Sequence, residues 1–431
     1  MARRTQLPIE ITEQSVLVAS SLTDDAVAPE GVTPLPATAF AGLRAYALDP
    51  AGGADWLTLF TRKGQEAIRI GPYVGLIQLA DGTQLDILPK IGTPAQARSA
   101  LLTMLRYLPN TPFRTLPMVP SGPGRLPLWD VFVLAFLDTL TTLSQQGLQR
   151  AYCPTEQNEP VWKGAFQAAR HLRENAGHAE RLAMRYDQLT VDVPANRLLK
   201  TALLSVDGRL QGSPVRARVR QWLGWLDAVP PSASVAADGR ACQRLGRLFA
   251  RYGPALRWAE VLLGGMAFGA QRGTVDSPAL LFPMARVFEA YVAHGVRTYW
   301  PDAGRVTVQE SSAHLVDQHG GTPRFRLRPD LLIRQTDGRV LVLDTKWKAL
   351  DSTDRRGTYG IDQADLYQLY AYGKKYGAAH LFLIYPASDT FREPLDLFGY
   401  DPDTHLHVLP FDPAQPLAAE VEKLAQYALS A

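Results

Sequence analysis

The stretch Arg326-Leu-Arg-Pro-Asp330-Leu-Leu-Ile333, running on through Thr336-Asp337-Gly338 to Arg339-Val-Leu-Val-Leu-Asp344-Thr-Lys346-Trp-Lys348, decides how the chain is read. Leucine and β-branched residues dominate two short runs, Leu331–Gln335 and Arg339–Leu343, the composition of paired strands. Asp337-Gly338 between them signals a tight hairpin, because such a turn needs residues that tolerate positive φ. A hairpin here puts Asp330 at the start of one strand and Asp344 at the end of its antiparallel neighbour. Both carboxylates then lie at the same sheet edge. Lys346, two residues past Asp344, points to the same side by the period-2 rule. Two carboxylates and a lysine meeting at a sheet edge suit a divalent metal that positions a phosphodiester and a water.

Pro329-Asp330 followed by Asp344-Thr345-Lys346 resembles the active-site signature of the PD-(D/E)xK nuclease superfamily. The alternative for this segment alone is a strand cap and an ordinary surface Asp/Lys pair. The flanking helices favour the nuclease. Upstream, Met284, Val287, Phe288, Tyr291 and Val292 form a helical apolar stripe with one acid, Glu289, beside it. Downstream, Gln368 and Tyr372 are four apart and share a helix face. A helical Glu, a Pro-Asp, an Asp-x-Lys and a Gln-x-x-x-Tyr in that order are far more specific together than any one of them.

The 431 residues should hold two or three domains, and 46% hydrophobic content supplies ample core. A net charge of +3 permits a polyanionic partner without demanding one, since nucleic-acid binders concentrate charge locally. Cys153 and Cys242 give neither metal spacing nor a disulfide framework, which suits a reducing compartment. The N-terminus lacks an apolar signal core, and no run of about 18 apolar residues could span a membrane. The expectation is a cytoplasmic protein that does not engage a membrane.

Residues 1–115 read as a β-rich domain, with strands expected at Leu7–Thr12 and Ser15–Ala19 and a loop at Asp24–Pro36. The strongest signal there is Asp81-Gly82 between two alternating runs, a hairpin, followed by an amphipathic helix over Ala97–Leu108. Lys90 reads as a solvated strand end. Leu116–Arg125 is a Pro- and Gly-rich linker, and 116–272 is mainly helical, with Leu128–Gln149 its longest periodic run. Within it, Arg216, Arg218, Arg220, Arg240, Arg244, Arg247 and Arg251 read as a solvated helix face in preference to a basic binding surface. From about Gly273, after glycine breaks at Gly264, Gly265 and Gly269, a self-contained α/β region is expected. Its order is helix Ala279–Thr298, strand Arg305–Val308, the hairpin, helix Asp362–Tyr376, strands His380–Tyr385 and Leu406–Phe411, and helix Ala414–Leu429, the order of a restriction-endonuclease-like core. His405-x-His407 lacks a third ligand nearby and reads as structural. No Walker-type phosphate loop is present, so the chain should not hydrolyse nucleotides itself.

Three blocks taken together resemble the McrC family, the nuclease subunits of McrBC modification-dependent restriction systems. They are Tyr73–Ile91, the pair Lys163-Gly164 with Asp192–Lys200, and the constellation Phe288-Glu289 with Asp344-Thr-Lys-Trp-Lys348. The resemblance implies an α+β multidomain chain: residues 1–115 docking a hexameric McrB-type AAA+ GTPase, a helical middle, and a PD-(D/E)xK nuclease over 273–431. It also implies that the GTPase reads the modified base while this chain cuts double-stranded DNA. On that footing Asp330, Asp344 and the Thr345 carbonyl would bind Mg²⁺, with Mn²⁺ as an alternative, and Glu289 would be an outer-sphere or second-metal ligand. Lys346 would orient the attacking water or neutralise the scissile phosphate, with Gln368 and Tyr372 supporting it. Lys348 and Arg328 are either phosphate contacts or solvated surface. Two rival functions stay open: a RecB-like repair exonuclease, and a non-enzymatic activator of an AAA+ ring that keeps an unused nuclease fold.

Overall fold

The computed structural model describes residues 8–20, 31–48, 56–79, 81–117, 126–210, 213–244, 247–264, 279–301, 304–354, 357–395 and 398–430. Most of the loop Asp24–Pro36, of the linker Leu116–Arg125 and of the glycine breaks up to Gly273 lies outside the described residues. The chain forms two compact units: Leu7–Leu128 together with Ala267–Ala431, and Trp129–Met266.

The first unit begins with β1 (Ile9–Thr12), β2 (Val16–Ser20), β3 (Thr33–Pro36), α1 (Ala37–Leu48), β4 (Leu57–Arg62), β5 (Gln65–Ile70), β6 (Tyr73–Gln78), β7 (Gln84–Leu88) and α2 (Pro94–Leu105). The Asp81-Gly82 hairpin is present: β6 pairs antiparallel with β7, and Gly82 takes φ +89° at the turn. One sheet runs β3-β2-β5-β4, and Leu17, Leu43, Ile68, Ile77 and Ile87 close a common core beneath α1. Neither β3 nor α1 is legible in the sequence, because Thr33-Pro-Leu-Pro36 carries two prolines and α1 is alanine-rich all round. α2 starts at a Thr93–Gln96 capping box with Pro94 in its first turn. Its Arg98 reaches into the protein, where its Nη2 lies 2.7 Å from fully buried Asp86 and 2.8 Å from Glu10.

The second unit holds α3 (Leu128–Ser144), β8 (Ala151–Glu159), β9 (Ala165–Phe166), α4 (Ala168–Glu174), β10 (Leu182–Thr190), α5 (Pro194–Asp207), α6 (Val215–Trp225), α7 (Val235–Gln243) and α8 (Gly253–Gly264). Leu198, Leu199, Ala202, Leu203 and Val206 of α5 are buried, and Phe132 of α3 packs against Trp258 of α8 at 6.1 Å between centroids. β8 is a nine-residue strand where the sequence offers no strand signal, since Pro154 and a polar run interrupt the pattern. It lies at the edge of the order β8-β10-β9, the place where a strand tolerates proline. Three of the seven arginines are neutralised inside this unit: Arg216 and Arg220 pair with Asp207, and Arg218 with Asp138.

The chain then returns to the first unit through β11 (Ala279–Pro283) and α9 (Met284–Tyr299). Helix was expected from Ala279, but the five residues before Met284 are a strand that pairs antiparallel with β6. β11 completes the sheet β1-β7-β6-β11, so the region after 273 is not self-contained as the sequence suggested. Gly75 makes this pairing fit: its φ is +128°, and a Cβ there would lie 1.9 Å from the Leu280 carbonyl oxygen. There follow β12 (Arg305–Val308), β13 (His314–His319), β14 (Thr322–Arg326), β15 (Leu331–Arg334), β16 (Val340–Thr345), α10 (Gln363–Tyr376), β17 (His380–Pro386), β18 (Phe398–Asp401), β19 (Thr404–Phe411) and α11 (Leu417–Ser430).

The main sheet has six strands in the order β12-β15-β16-β17-β19-β18. β12, β15 and β16 are antiparallel neighbours, whereas β16, β17 and β19 run parallel. Parallel strands covered on both faces read as unbroken apolar runs, as Val340–Leu343 and Leu381–Ile384 do. Leu332, Val342, Leu381 and Leu383 pack with Leu369 and Tyr372 of α10. On the other face Phe288 and Tyr291 of α9 meet Phe411 edge-on. His407 is 4% exposed, bonded to His380 at 3.0 Å and stacked on Phe382. Burial, then the neighbouring His380 and His405, push its pKa down to about 4. Among the described residues no helix is long and apolar enough to cross a membrane.

Candidate functional site

β15 and β16 form the expected hairpin, with Leu331 opposite Leu343. That register brings the residue before β15, Asp330, beside the end of β16. Asp330 Oδ2 accepts from the Thr345 backbone N at 2.7 Å and from Thr345 Oγ1 at 2.6 Å. Lys346 N continues the pairing with β17 by donating to the Ile384 carbonyl at 2.9 Å, which fixes the backbone just past Asp344. The Lys346 ammonium lies 2.9 Å from Asp344 Oδ2 and 3.2 Å from Asp365 Oδ1. It also donates to Gln368 Oε1 at 3.1 Å.

The supporting groups form a chain. Gln368 Nε2 donates to Tyr372 Oη at 2.8 Å, and Tyr372 Oη donates to the Arg328 carbonyl at 3.2 Å. α10 therefore presents Gln368 and Tyr372 from one face, as their spacing of four predicts, and joins Lys346 to the segment leading into Asp330. On the opposite side Gln309 Nε2 donates to Glu289 Oε1 at 2.6 Å while its backbone N donates to the Asp330 carbonyl at 2.9 Å. Glu289, Asp330, Asp344, Thr345, Lys346, Gln368 and Tyr372 thus fall within one connected network.

The electrostatics are those of crowded acids. Asp344 is 4% exposed, and burial, reinforced by the charge of Asp330, pushes its pKa up to about 7. Burial also raises Asp330, with the Thr345 bonds opposing, and it raises Glu289, to which the charge of Asp330 adds. Burial alone would lower Lys346; Asp344 and Asp365 overcome it and hold the ammonium protonated. An upward shift on both members of the Asp344–Lys346 pair looks contradictory. Burial is the main reason the Asp330, Asp344 and Glu289 carboxyls resist ionisation, and one lysine cannot offset it for all three, while Lys346, facing Asp344 and Asp365, stays charged.

Such a deficit of positive charge is what a divalent cation relieves. The donors are hard carboxylate oxygens, and Asp330 and Asp344 each commit only Oδ2 to bonds among the described residues. No three His, Cys, Asp or Glu side chains among the described residues stand close enough to make a finished cage. A sparse set of this kind fits Mg²⁺, which takes one or two carboxylates and keeps its waters.

Four further residues escaped the sequence reading. Asp365, three positions before Gln368, was visible as a same-face neighbour. Gln309 carried no signal, being one glutamine past a short strand. Trp347 packs on Phe288 at 5.1 Å between centroids, and its Nε1 donates to Glu13 Oε1 at 2.6 Å. Glu13 lies 334 positions away in sequence, and nothing local marks it.

The family of McrBC 5-methylcytosine restriction system components matches residues 68–386. A chain of the half-complex refined from the tetradecameric assembly of Thermococcus gammatolerans McrB AAA+ hexamers with bound McrC superposes with a TM-score of 0.69. It is 15% identical, and the match covers 98% of this chain and 100% of that one. A second chain, from the Thermococcus gammatolerans McrBC complex, is 16% identical over 68% of this chain and 88% of that one, with a TM-score of 0.45. No curated protein matches. The family match spans the β6–β7 hairpin, the middle block and the Asp330–Lys346 constellation alike, and on it the chain belongs to the McrBC 5-methylcytosine restriction system component family, as a subunit of the McrC type.

Proposed function

We propose that this chain is the DNA-cutting subunit of a modification-dependent restriction complex in the cytoplasm: a metal-dependent endonuclease with a PD-(D/E)xK core that works with a McrB-type AAA+ GTPase and stimulates it. The observation that carries this reading is the meeting of Asp330, Asp344 and Lys346 where β15 begins and β16 ends, with Glu289 joined to them through Gln309. Asp330, Asp344 and the Thr345 carbonyl would hold Mg²⁺ or Mn²⁺, with Glu289 beside them. Bound there, the ion would lower the pKa of a water and offset charge gathering on the phosphorus.

The protein's own groups supply the geometry. Thr345 fixes the Asp330 carboxylate through two bonds, so its second oxygen is presented in one direction. Asp365 and Gln368 aim the Lys346 ammonium, which orients the attacking water or meets the scissile phosphate. Tyr372 holds Gln368 against the Arg328 carbonyl, which couples the lysine's position to that of Asp330. Docking on the GTPase ring, proposed for residues 1–115, we extend to the sheet β8-β10-β9. There Tyr152 and Leu189, opposite each other in register, are 71% and 47% exposed, and Trp162 in the β8–β9 connection, stacked on Phe166, is 66% exposed, apolar side chains suited to a partner.

Asp344→Ala tests the division of labour. With the partner ring present it should abolish cleavage of modified duplex while leaving the chain folded and still able to raise GTP turnover. Normal cleavage in Mg²⁺ by this variant would overturn the site. Rapid digestion of plain duplex by the isolated wild-type chain would favour the repair-exonuclease reading instead.

A further inference from the structure

The β13–β14 hairpin differs from the other described strands in what it exposes. Arg324, Phe325 and Arg326 all face solvent, and Phe325 is 73% exposed. Phe325 also takes φ +57°, a left-handed conformation that costs an aromatic residue free energy and gathers at functional positions. The register pairs Arg324 with Val316 and Arg326 with His314. Arg328, two residues further on, is exposed as well.

The hairpin is anchored to the site at its base. Leu327 is buried, and its N donates to the Ala313 carbonyl at 3.0 Å. α10 holds β13 and the segments flanking the hairpin: Lys375 Nζ donates to Asp317 at 2.9 Å, Tyr376 Oη to the Glu310 carbonyl at 3.3 Å, and Tyr372 Oη to the Arg328 carbonyl. Arg326 is only four steps along the chain from Asp330, a reach of at most about 14 Å.

Charge decides what the hairpin fits. Arg216, Arg218 and Arg220 are paired with aspartates of their own unit. Arg324, Arg326 and Arg328 have no carboxylate partner among the described residues. Beside them Asp330, Asp344, Glu289 and Asp365 outweigh Lys346, so the site repels a polyanion unless flanking cations hold it. Three exposed arginines alternating along the five residues that lead to Pro329-Asp330 supply such flanking cations. An apolar protein partner would leave them uncompensated; a nucleic-acid backbone would not.

We propose that the β13–β14 hairpin is a DNA-binding arm, with Arg324 and Arg326 on phosphates flanking the scissile one and Phe325 set against the bases in the groove. The proposal rests on the DNA-cutting reading above and adds the surface that grips the substrate. The test uses the full chain with its ring partner and a fluorescein-labelled duplex carrying 5-methylcytosine, without added divalent metal. Anisotropy gives the binding constant at salt from about 50 to 200 mM. Each phosphate contact contributes about 0.9 to the slope of log K against log salt, so Arg324→Ala with Arg326→Ala should flatten it by about 1.8. Arg324→Lys with Arg326→Lys keeps the charge and should keep the slope. Phe325→Ala should weaken binding at every salt without changing the slope, since a contact to base edges neutralises no phosphate.

An unchanged slope in the alanine pair overturns the arm, as does equal loss in the lysine pair, which would mean local misfolding. Lost GTPase stimulation with the slope intact would make the hairpin a ring-docking surface and overturn it too. Cleavage of the same duplex in Mg²⁺ separates this proposal from the one beneath it. Wild type that cuts, with variants that bind as it does, sinks only the arm. Wild type that binds with the expected loss in the variants, yet never cuts, sinks only the nuclease, and failure to bind any duplex sinks both.

Discussion

Glu13→Gln should change how stability depends on pH. Glu13 follows β1, is 1% exposed, and accepts from Trp347 Nε1 at 2.6 Å and from Lys90 N at 3.2 Å. Its Oε2 has no partner among the described residues. Burial is the largest influence and the hydrogen bonds oppose it; the balance pushes the carboxyl from 4.5 up to about 7. The folded chain therefore holds this proton more tightly than the unfolded chain does. A carboxyl raised in this way gives stability that is complete below about pH 4.5 and is lost as pH rises through about 7. At about 1.4 kcal/mol for each tenfold change in proton affinity, that interval amounts to about 3 kcal/mol. Glutamine keeps an acceptor for Trp347 and cannot ionise. Its amide also meets the space around Oε2, an offset that does not vary with pH and so cancels. Urea unfolding of both proteins between about pH 4.5 and 8 should show the variant gaining about 3 kcal/mol on wild type across the range, at equal m-values. A difference that stays flat to within about 0.5 kcal/mol would refute the assignment of a buried, near-neutral carboxyl.

Arg98→Met should lower the stability of the first unit by about 3–5 kcal/mol, because it leaves the fully buried Asp86 carboxylate with only the neutral donors Gln84 Nε2 and Leu128 N; a loss under about 1 kcal/mol in urea unfolding would mean that Asp86 is neutral in the native state. Gly75→Ala should cost at least about 2 kcal/mol, since its φ and the Leu280 carbonyl both exclude a Cβ, and a variant that melts with wild type would refute the β6–β11 register. A fragment ending at Gly264 should be poorly soluble compared with full-length chain carrying Asp344→Ala, because it loses β11 from beside β6; a soluble monomer with native near-ultraviolet dichroism would count against that.

What was legible in the sequence was whatever a short window could carry. The β15–β16 hairpin announced itself through an Asp-Gly turn between two apolar runs, and the register that follows from it is enough to bring Asp330 to Thr345 and Lys346 to Asp344. The spacing of Gln368 and Tyr372 on α10 worked for the same reason, since i and i+4 share a face whatever surrounds the helix. β11 shows where this logic stops. Ala279-Leu-Leu-Phe-Pro283 is equally apolar as a buried strand or as the first turns of the helix that follows, and periodicity cannot separate the two over five residues. The deciding fact is the neighbouring strand β6, about two hundred positions earlier in the chain.

Glu13 has the same origin. As a residue between β1 and β2 it looks like any surface acid, and only the fold makes it the partner of Trp347, one position past the lysine of the site. These two long-range links change how the parts of the chain can be separated. If residues before 117 and after 279 share one sheet and one hydrogen bond beside Lys346, a cut between them alters the environment of β16 and of the N-terminal sheet together. A truncated chain that failed to stimulate a GTPase ring would then say nothing about where the ring docks. A single substitution at Asp344 leaves β11, Glu13 and Trp347 in place, so it can separate cutting from ring stimulation where truncation cannot.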